Sequence, residues 1–280
     1  MNQKNENRPV FIIDGQNVFL RSYSAYPQFS ANGYQMGGCI GFLKTMQRLC
    51  REYQPSRIYI TWEGGGSQRR RKIYSEYKEN RRPDKLNRFY GDDIPDTEDN
   101  KRHQLLTLIG MLKLLPVCQV YVSDCEGDDI IAYLSTGPLR NFEKIIVSSD
   151  KDMYQLLDEK TKIYSLHKKT FVTSESLFEE FRITSANFAL AKCLCGDVSD
   201  NVPGVKGIGF KSVVKKFPIL GNEDPVILDD LLSYAASHAS EGIIYRRVIE
   251  EAEIIKRNWR LVHLDGSMLS SDQKKRVDHV

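Results

Sequence analysis

Short apolar runs alternate with stretches of helical periodicity through roughly the first two-thirds of the chain. Four of the runs have the length and composition of buried strands, and they lie at 10–13, 57–62, 119–122 and 144–148. Apolar positions at helical spacing predict helices between and after them, at 38–52, 97–115, 128–135 and 151–157. Strands that alternate with helices of this length predict a mostly parallel, twisted sheet with helices on both faces, an α/β fold.

The strand pattern fades after about residue 174, and helical periodicity continues to the end of the chain. This change predicts two parts of unequal size. We expect an α/β core over 1–182 and a smaller helical region over 183–280.

The overall composition is that of a globular protein. The 280 residues include 40 Lys and Arg against 37 Asp and Glu, a net charge of +3, and 41% are hydrophobic. This balance excludes fibrous and wholly disordered classes. No apolar stretch is long enough to cross a bilayer, and the first eight residues do not form a secretory signal. A cytoplasmic protein without membrane contact, with its six scattered cysteines reduced, is therefore expected.

A basic segment at 69–88 carries nine cations and three anions, a local charge of +6. A solvated charged face is the simplest explanation of such a run. Four aromatic residues, Tyr74, Tyr77, Phe89 and Tyr90, are interleaved with the cations or follow them directly. Because cations neutralise phosphates and bases stack on aromatic rings, the segment predicts a nucleic-acid partner.

Acidic residues follow each predicted strand at its carboxyl end, which is where parallel sheets bind ligands. In chain order they are Asp14, Glu63, Glu126, Asp128, Asp129, Asp150 and Asp152. Each one alone is explained equally well as a helix cap. Together they would repel one another at a single edge unless a cation compensated them, and all-oxygen ligation favours Mg²⁺ or Mn²⁺. With Asp197 and Asp200, the supply of carboxylates predicts a site for two divalent ions.

A glycine-rich segment follows Asp197 within about ten residues. Its glycines, Gly204, Gly207 and Gly209, would let the backbone approach a ligand closely. Neighbouring cations would add positive charge around it, namely Lys206, Lys211, Lys215 and Lys216. We therefore expect an anion-binding hairpin beside the carboxylates.

These motifs, in this order, resemble those of the 5′-nuclease family of flap endonucleases and 5′-3′ exonucleases, and most closely its stand-alone bacteriophage members. The matching blocks span roughly 10–217 and are Ile13-Asp14-Gly15-Gln16-Asn17, Arg70 through Tyr77-Lys78-Glu79-Asn80-Arg81, Cys125-Glu126-Gly127-Asp128-Asp129, Ser149-Asp150-Lys151-Asp152, and Gly196-Asp197 through Gly209. Beyond residue 222 the resemblance is thin.

The resemblance implies a PIN-like core, a helical arch at about 68–96, and a helix-three-turn-helix module at about 186–217 that binds duplex DNA. It also implies a K⁺ ion at that helix-hairpin-helix. Two Mg²⁺ ions, replaceable by Mn²⁺, are implied at the carboxylates. Residues such as Asp14, Glu126 and Asp128 would surround the first ion, and those such as Asp150, Asp152, Asp197 and Asp200 the second. Asp129 would belong to the same cluster.

Basic and aromatic residues of the arch also acquire roles from the resemblance. Lys78 and Arg81 would contact the scissile phosphate and act in catalysis, with Arg70 as a further DNA contact. Tyr77 would stack on an exposed base near the cut. Glu63 departs from the pattern, since that position is usually Asp.

The leading hypothesis is a structure-selective, divalent-metal-dependent 5′ nuclease that cuts 5′ flaps and 5′ ends of duplex DNA and removes RNA primers in replication. Its partners would be branched or nicked DNA, RNA/DNA primers and separate replication proteins, and it would act as a monomer. One alternative is a PIN-type ribonuclease acting on unstructured RNA. The other is a DNA-binding module without catalysis, against which the unbroken series of carboxylates argues.

Overall fold

Six strands form one sheet at the centre of the part described by the computed structural model, which covers residues 8–26, 28–65, 67–80 and 98–279. The strands are β1 (Val10–Asp14), β2 (Arg57–Trp62), β3 (Cys118–Tyr121), β4 (Lys144–Val147), β5 (Thr161–Ser165) and β6 (Thr170–Val172). Their order is β3-β2-β1-β4-β5-β6, parallel throughout except for the antiparallel pair β5-β6. The predicted mostly parallel α/β sheet is confirmed.

The strand order places a crevice at the carboxyl ends of β1 and β4. From β1 the chain moves to β2 and β3 on one side, then returns to β4 on the other side. Helices after neighbouring strands therefore leave to opposite faces, and the strand ends open between them. Asp14 ends β1 and Asp150 follows β4 by three residues, so both lie at this crevice.

Helices cover both faces of the sheet and form the C-terminal region. In the described residues the α-helices are α1 (Gly15–Ala25), α2 (Gly37–Tyr53), α3 (Ser67–Ile73), α4 (Glu98–Leu112), α5 (Gly127–Thr136), α6 (Ser174–Phe181), α7 (Ser185–Cys195), α8 (Phe210–Lys216), α9 (Leu228–Ser237), α10 (Ile243–Glu250), α11 (Ala252–Val262) and α12 (Ser271–Asp278). Short 3₁₀ helices lie at Lys151–Leu156, Pro218–Gly221 and Ala239–Glu241.

Two hydrophobic layers enclose the sheet. In β1, Phe11 and Ile13 belong to one layer, and Val10 and Ile12 belong to the other. This alternation follows from the two-residue period of a strand whose two faces are both covered. The layer that contains Ile12 continues into the C-terminal helices, including α7 and α11, so these helices pack on the core.

Several elements differ from the sequence-based prediction. Helix α1 was not predicted, and neither were β5 and β6, whose short sequences mix apolar and polar residues. The helix expected at 151–157 is a 3₁₀ helix at Lys151–Leu156. The proposed arch at 68–96 is described only as far as Asn80, because 81–97 lie outside the described residues.

All six cysteines are free. Among the residues described, no helix has both the length and the apolar character to cross a bilayer.

Candidate active site

Asp14 and Asp150 carry out the capping role that a lone carboxylate suggests, and they also face the crevice. Asp14 Oδ1 accepts the Asn17 N–H at 3.0 Å and begins α1, while its Oδ2 accepts the Ser148 hydroxyl at 2.9 Å. Asp150 Oδ1 accepts the Asp152 N–H at 2.9 Å and begins the 3₁₀ helix. Capping therefore fixes the direction of both side chains.

Asp14, Asp128 and Asp150 form the first group of carboxylates, which we call the uncompensated group. Burial, together with the charge of Asp150, raises the pKa of Asp14 to about 6. Burial and the charges of Asp150 and Asp14 raise the pKa of Asp128 well above its ordinary value. The pKa of Asp150 is also raised, chiefly by burial. Ionised side chains here repel one another, so a bound cation would stabilise them.

Asp152, Asp197 and Asp200 form the second group, with ligand oxygens all within 4.8 Å of one another. Lys192 lies against this group. Its Nζ donates to Asp152 Oδ1 and, at 2.6 Å, to Asp197 Oδ2. Although partial burial opposes it, Lys192 lowers the pKa of Asp197 to about 2, helped by Ser199. These three oxygens could hold a divalent ion, and Lys192 neutralises part of their charge when no ion is bound.

Lys192 is a functional residue that the sequence analysis missed. It is 4% exposed on α7, between the buried residues Ala191 and Cys193. A lysine inside an otherwise apolar helix needs a buried acidic partner. That pattern was the available signal, although it does not identify the partner.

Glu126 lies in the crevice but is already surrounded by donors. Its Oε1 accepts the Ser67 hydroxyl at 2.7 Å. Its Oε2 lies 2.8 Å from Lys78 Nζ and 3.1 Å from Arg70 Nη1. Although burial opposes it, Arg70 and Lys78 lower the pKa of this carboxyl. Glu126 is thus ion-paired with two cations of this chain. Among the described residues the uncompensated group has no ion pair, and only the more distant charges of Lys78 and, at Asp150, Lys192 act against the rise in pKa.

Arg70 and Asp129 form a buried ion pair. Both terminal guanidinium nitrogens of Arg70 donate to Asp129 at 2.8 Å, and Arg70 Nε donates to the Leu261 carbonyl at 2.8 Å. Arg70 is 1% exposed and Asp129 is 2% exposed. The structure therefore places neither residue where the sequence analysis expected it. Arg70 is buried and is therefore not on a surface that DNA can reach. Both carboxylate oxygens of Asp129 accept hydrogen bonds from Arg70, so Asp129 belongs to neither group of carboxylates.

Tyr77 is also interior, at 2% exposure. Its hydroxyl donates to Asp200 at 2.9 Å and lies 3.3 Å from Glu126 Oε2. A ring enclosed in this way is at odds with the expected stacking on an exposed base. Its hydroxyl instead connects the two sides of the crevice.

Lys78 lies within the crevice, in the part of the basic segment that follows α3. Its backbone has a positive φ of 58°, and its N–H donates to the Asp200 carbonyl at 2.9 Å. Its Nζ lies 2.8 Å from Glu126 and 3.9 Å from Asp200. The cation is therefore beside the carboxylates of Glu126 and Asp200. Arg81 lies outside the described residues.

Glu63 follows β2 as a largely exposed residue at the rim, but its carboxyl end lies beside Gly127 at the beginning of α5, where it is shielded from solvent. Desolvation in the crevice, followed by the charge of Glu126, raises its pKa to about 7. The Glu63 carboxylate is therefore close enough to the other carboxylates for the charge of Glu126 to raise its pKa, but it does not belong to the second group.

The glycine-rich segment joins α7 to α8 beside the carboxylates. A side chain at Gly204 would meet the Cys195 backbone at 2.2 Å, and Gly207 has a φ of 94°, so both positions require glycine. A cleft of about 430 Å³ runs from Asp150 past Lys192 to Phe210 at the start of α8. The lysines of this region, Lys206, Lys211, Lys215 and Lys216, are all exposed.

Known proteins are similar to this chain in sequence over most of its length. Residues 9–182 match the family model of the 5′-3′ exonuclease N-terminal resolvase-like domain. The 5′-3′ exonuclease of Buchnera aphidicola subsp. Schizaphis graminum (strain Sg) is 31% identical over 224 residues, which are 78% of this chain and 73% of that protein. That of Aquifex aeolicus (strain VF5) is 26% identical over 222 residues, 79% of this chain and 72% of that protein.

Solved structures show the same fold. The T5 5′-exonuclease with bound zinc ions superposes with a TM-score of 0.76 at 19% identity, over 97% of this chain and 98% of that one. A complex of the bacteriophage T5 D15 flap endonuclease with DNA and metal ions gives a TM-score of 0.75 at 20% identity, over 97% of both chains. Fold, ordered motifs and family model agree: this chain belongs to the 5′-3′ exonuclease family of nucleases.

Proposed function

We propose that this chain is a structure-selective, divalent-metal-dependent nuclease that hydrolyses phosphodiester bonds at 5′ flaps and at 5′ ends of duplex DNA. The observation that carries the proposal is the uncompensated group of Asp14, Asp128 and Asp150. Their pKa values are raised at a crevice that Lys78 enters. Carboxylates held together at such cost are expected where a cation binds.

The donor set fits hard divalent ions. Aspartate oxygens are available in both groups, with no thiolate or imidazole among them, which favours Mg²⁺ with Mn²⁺ as a substitute. Asp14, Asp128 and Asp150 would hold one ion. Asp152, Asp197 and Asp200 would hold a second. When bound, two such ions supply an activated water and neutralise charge on the reacting phosphate.

Lys78 would stabilise the negative charge that develops on the phosphate. Glu126 holds its ammonium at 2.8 Å, so the cation is oriented before substrate arrives, which is what electrostatic stabilisation requires. Arg81 would add a second cation from the same segment. Glu126 would then act by orienting Lys78, in addition to any contact with the first ion.

Duplex DNA would bind along the glycine-rich segment and α8. The exposed Lys206, Lys211 and Lys215 would neutralise phosphates, and Gly204, Gly207 and Gly209 would let the backbone approach them, with K⁺ at this turn. This part, 186–217, would be the helix-three-turn-helix module of a DNA-binding region at 183–280, beside a nuclease core at 1–182. Phosphate contacts select DNA shape without reading bases.

The biological task that we propose is removal of RNA primers and flaps during replication in the cytoplasm, by a monomer that acts alongside other replication proteins. A 5′-labelled flap substrate incubated with and without Mg²⁺ tests the activity, and the product length maps the cut. Cleavage next to the flap junction, lost in Asp150→Asn and in EDTA, is expected. Cleavage of unstructured RNA in preference to the flap would favour the ribonuclease alternative, and no cleavage of either with Mg²⁺ or Mn²⁺ would refute the proposal.

A further inference from the structure

Helix α11 contacts three elements that carry residues of the crevice, although it lies in the part of the chain where the sequence motifs end. The Leu261 carbonyl accepts Arg70 Nε of α3 at 2.8 Å. Gln155 of the 3₁₀ helix donates to the Val262 carbonyl at 3.0 Å and accepts the Leu264 N–H at 2.8 Å. The C-terminal end of α11 is thus hydrogen-bonded to α3, which precedes Lys78, and to the 3₁₀ helix that contains Asp152.

Asn258 makes the third connection, from the middle of α11. It is fully buried, at 0% exposure. Its Nδ2 donates to the Cys193 carbonyl at 3.1 Å and to the Pro203 carbonyl at 2.7 Å. These two carbonyls lie on either side of the segment 196–202, which carries Asp197 and Asp200. One amide therefore ties together both ends of that segment.

The segment between those ends is a tight loop. Asp197 and Val202 exchange two backbone hydrogen bonds of 2.8 Å. The Asp200 carbonyl accepts the Lys78 N–H at 2.9 Å, so the loop also holds the base of the basic segment. A shift of either end would move Asp197 and Asp200 relative to Asp152, which belongs to a different element.

We propose that Asn258 is a positioning residue of the nuclease: by bonding both ends of the 196–202 loop, it sets the separation of Asp197 and Asp200 from Asp152 and so the fit of the second divalent ion. This inference rests on the proposed function. Asn258 does not touch substrate or ion. Its action passes through the backbone of the residues that do, as is usual for groups that orient metal ligands.

Asn187 offers a matched control within the same chain. It too is 0% exposed, and its amide donates to Thr184 Oγ1 and to the Asn222 carbonyl, both at 3.0 Å. It lies near the beginning of α7, whereas the loop that carries Asp197 and Asp200 follows the end of α7. Truncation of either asparagine removes a buried amide and its hydrogen bonds to neighbouring segments, so Asn187→Ala reproduces a loss of this kind without reaching the carboxylates.

Binding of Mn²⁺ alone to the DNA-free protein provides a readout that is independent of cleavage. Free Mn²⁺ is followed by electron paramagnetic resonance during titration of wild type, Asn258→Ala and Asn187→Ala, below the melting temperature of each. We expect Asn258→Ala to weaken the weaker class of Mn²⁺ site by about tenfold or more, with a parallel rise in the Mn²⁺ needed for half-maximal flap cleavage. Asn187→Ala should match wild type in both titrations.

Equal Mn²⁺ titrations for Asn258→Ala and Asn187→Ala would overturn the inference, whatever their melting temperatures. If Asn258→Ala does not fold, Asn258→Ser, which retains one donor, is titrated instead against the same control and under the same criterion. Wild-type protein that neither binds Mn²⁺ nor cuts the flap would refute the proposed function itself. Active wild-type protein with an unaffected Asn258 variant would refute the positioning role alone.

Discussion

At the scale of the residue, environment decides what each carboxylate does. Asp14 and Asp129 are both buried, but Asp129 is paired in full with Arg70, while Asp14 accepts only neutral donors beside other acids. The charge of Asp129 is compensated within the chain. Among the described residues no ion pair compensates Asp14, on which only the more distant charge of Lys78 acts, and this difference identifies where a cation would be stabilising.

The sequence predicted that carboxylates after parallel strands converge at one edge of the sheet, and most of them lie at the crevice, but Asp129 instead pairs with Arg70. It could not predict which of them are compensated. Arg70 and Tyr77 belong to a basic, aromatic run that is typical of a DNA surface, and only tertiary packing turns them inward. The same limit applies to Lys192, whose partners come from two other positions in the chain.

The raised pKa of Asp14 predicts an unusual pH dependence of stability in metal-free protein. The folded state holds a proton on Asp14 up to about pH 6, whereas the unfolded state releases it near 3.8. Stability gained by this protonation is therefore lost as pH rises through about 6. Asp128 acts in the same direction. We expect the melting temperature in EDTA to fall between about pH 4 and pH 6.5, and Mn²⁺ to reverse the fall.

Asp14→Asn provides the control for that experiment. It removes this titration, so its melting temperature should depend less on pH over the same range. His263 works in the opposite direction, because burial lowers its pKa, and it is present in both proteins. A wild-type melting temperature that depends on pH no more than that of Asp14→Asn would contradict the prediction.

Lys78 is expected to act on turnover more than on affinity. Replacement by Met removes the ammonium that Glu126 orients, and we expect kcat on flap DNA to fall by about a hundredfold or more. Mn²⁺ binding should change little, because Lys78 is not a ligand. Single-turnover kinetics at saturating enzyme separate the two effects, with Lys72→Met, an exposed cation of the same segment, as the control. A purely KM effect would argue against catalysis by Lys78.

At the scale of the element, one buried pair holds α3 between α5 and α11. Arg70 is on α3, Asp129 is in the first turn of α5, and the Leu261 carbonyl belongs to α11. The chain from the Glu63 end of β2 to Lys78 is positioned by this contact. No local pattern indicates it, because the three residues lie in three distant segments.

Breaking the pair should be costly. Arg70→Met leaves the Asp129 carboxylate buried without a cation, and we expect a decrease of about 3–5 kcal/mol in the free energy of unfolding measured by urea denaturation. Lys168→Met is the control. It removes the exposed pair with Glu180 at 3.0 Å, which should cost less than about 1 kcal/mol. Similar decreases for the two variants would show that Arg70 is not a fixed point of the structure.

At the scale of the whole molecule, the charged surface and the crevice lie together. The exposed lysines of α8 and the turn before it are close in the chain to Phe210, which lines one end of the cleft that leads to Asp150. A duplex held there would present its backbone toward both carboxylate groups. Helix α11 links the elements around the crevice, because it is hydrogen-bonded to α3, to the 3₁₀ helix at Lys151–Leu156 and, through Cys193, to α7.

This placement predicts how binding depends on salt. Removal of Lys211 or Lys215 should weaken binding of uncleaved duplex DNA in Ca²⁺ and reduce the slope of log K against log salt by about 0.9 for each phosphate that the lysine had neutralised. Lys160→Ala serves as the control, because Lys160 precedes β5 at the amino end of the sheet, away from the crevice. Fluorescence anisotropy at several salt concentrations gives the slopes. An unchanged slope for the α8 variants would mean that DNA lies elsewhere.

The ammonium of Lys192 between Asp152 and Asp197 would make occupation of the second group by a divalent ion an exchange of one cation for another. The ion would gain only the difference between its own attraction and that of the departing lysine, so it would bind more weakly than to three carboxylates alone. The displaced side chain would then need a new anion nearby, and a phosphate of the substrate would supply one. With the proposed function, ion uptake and substrate docking would therefore reinforce each other.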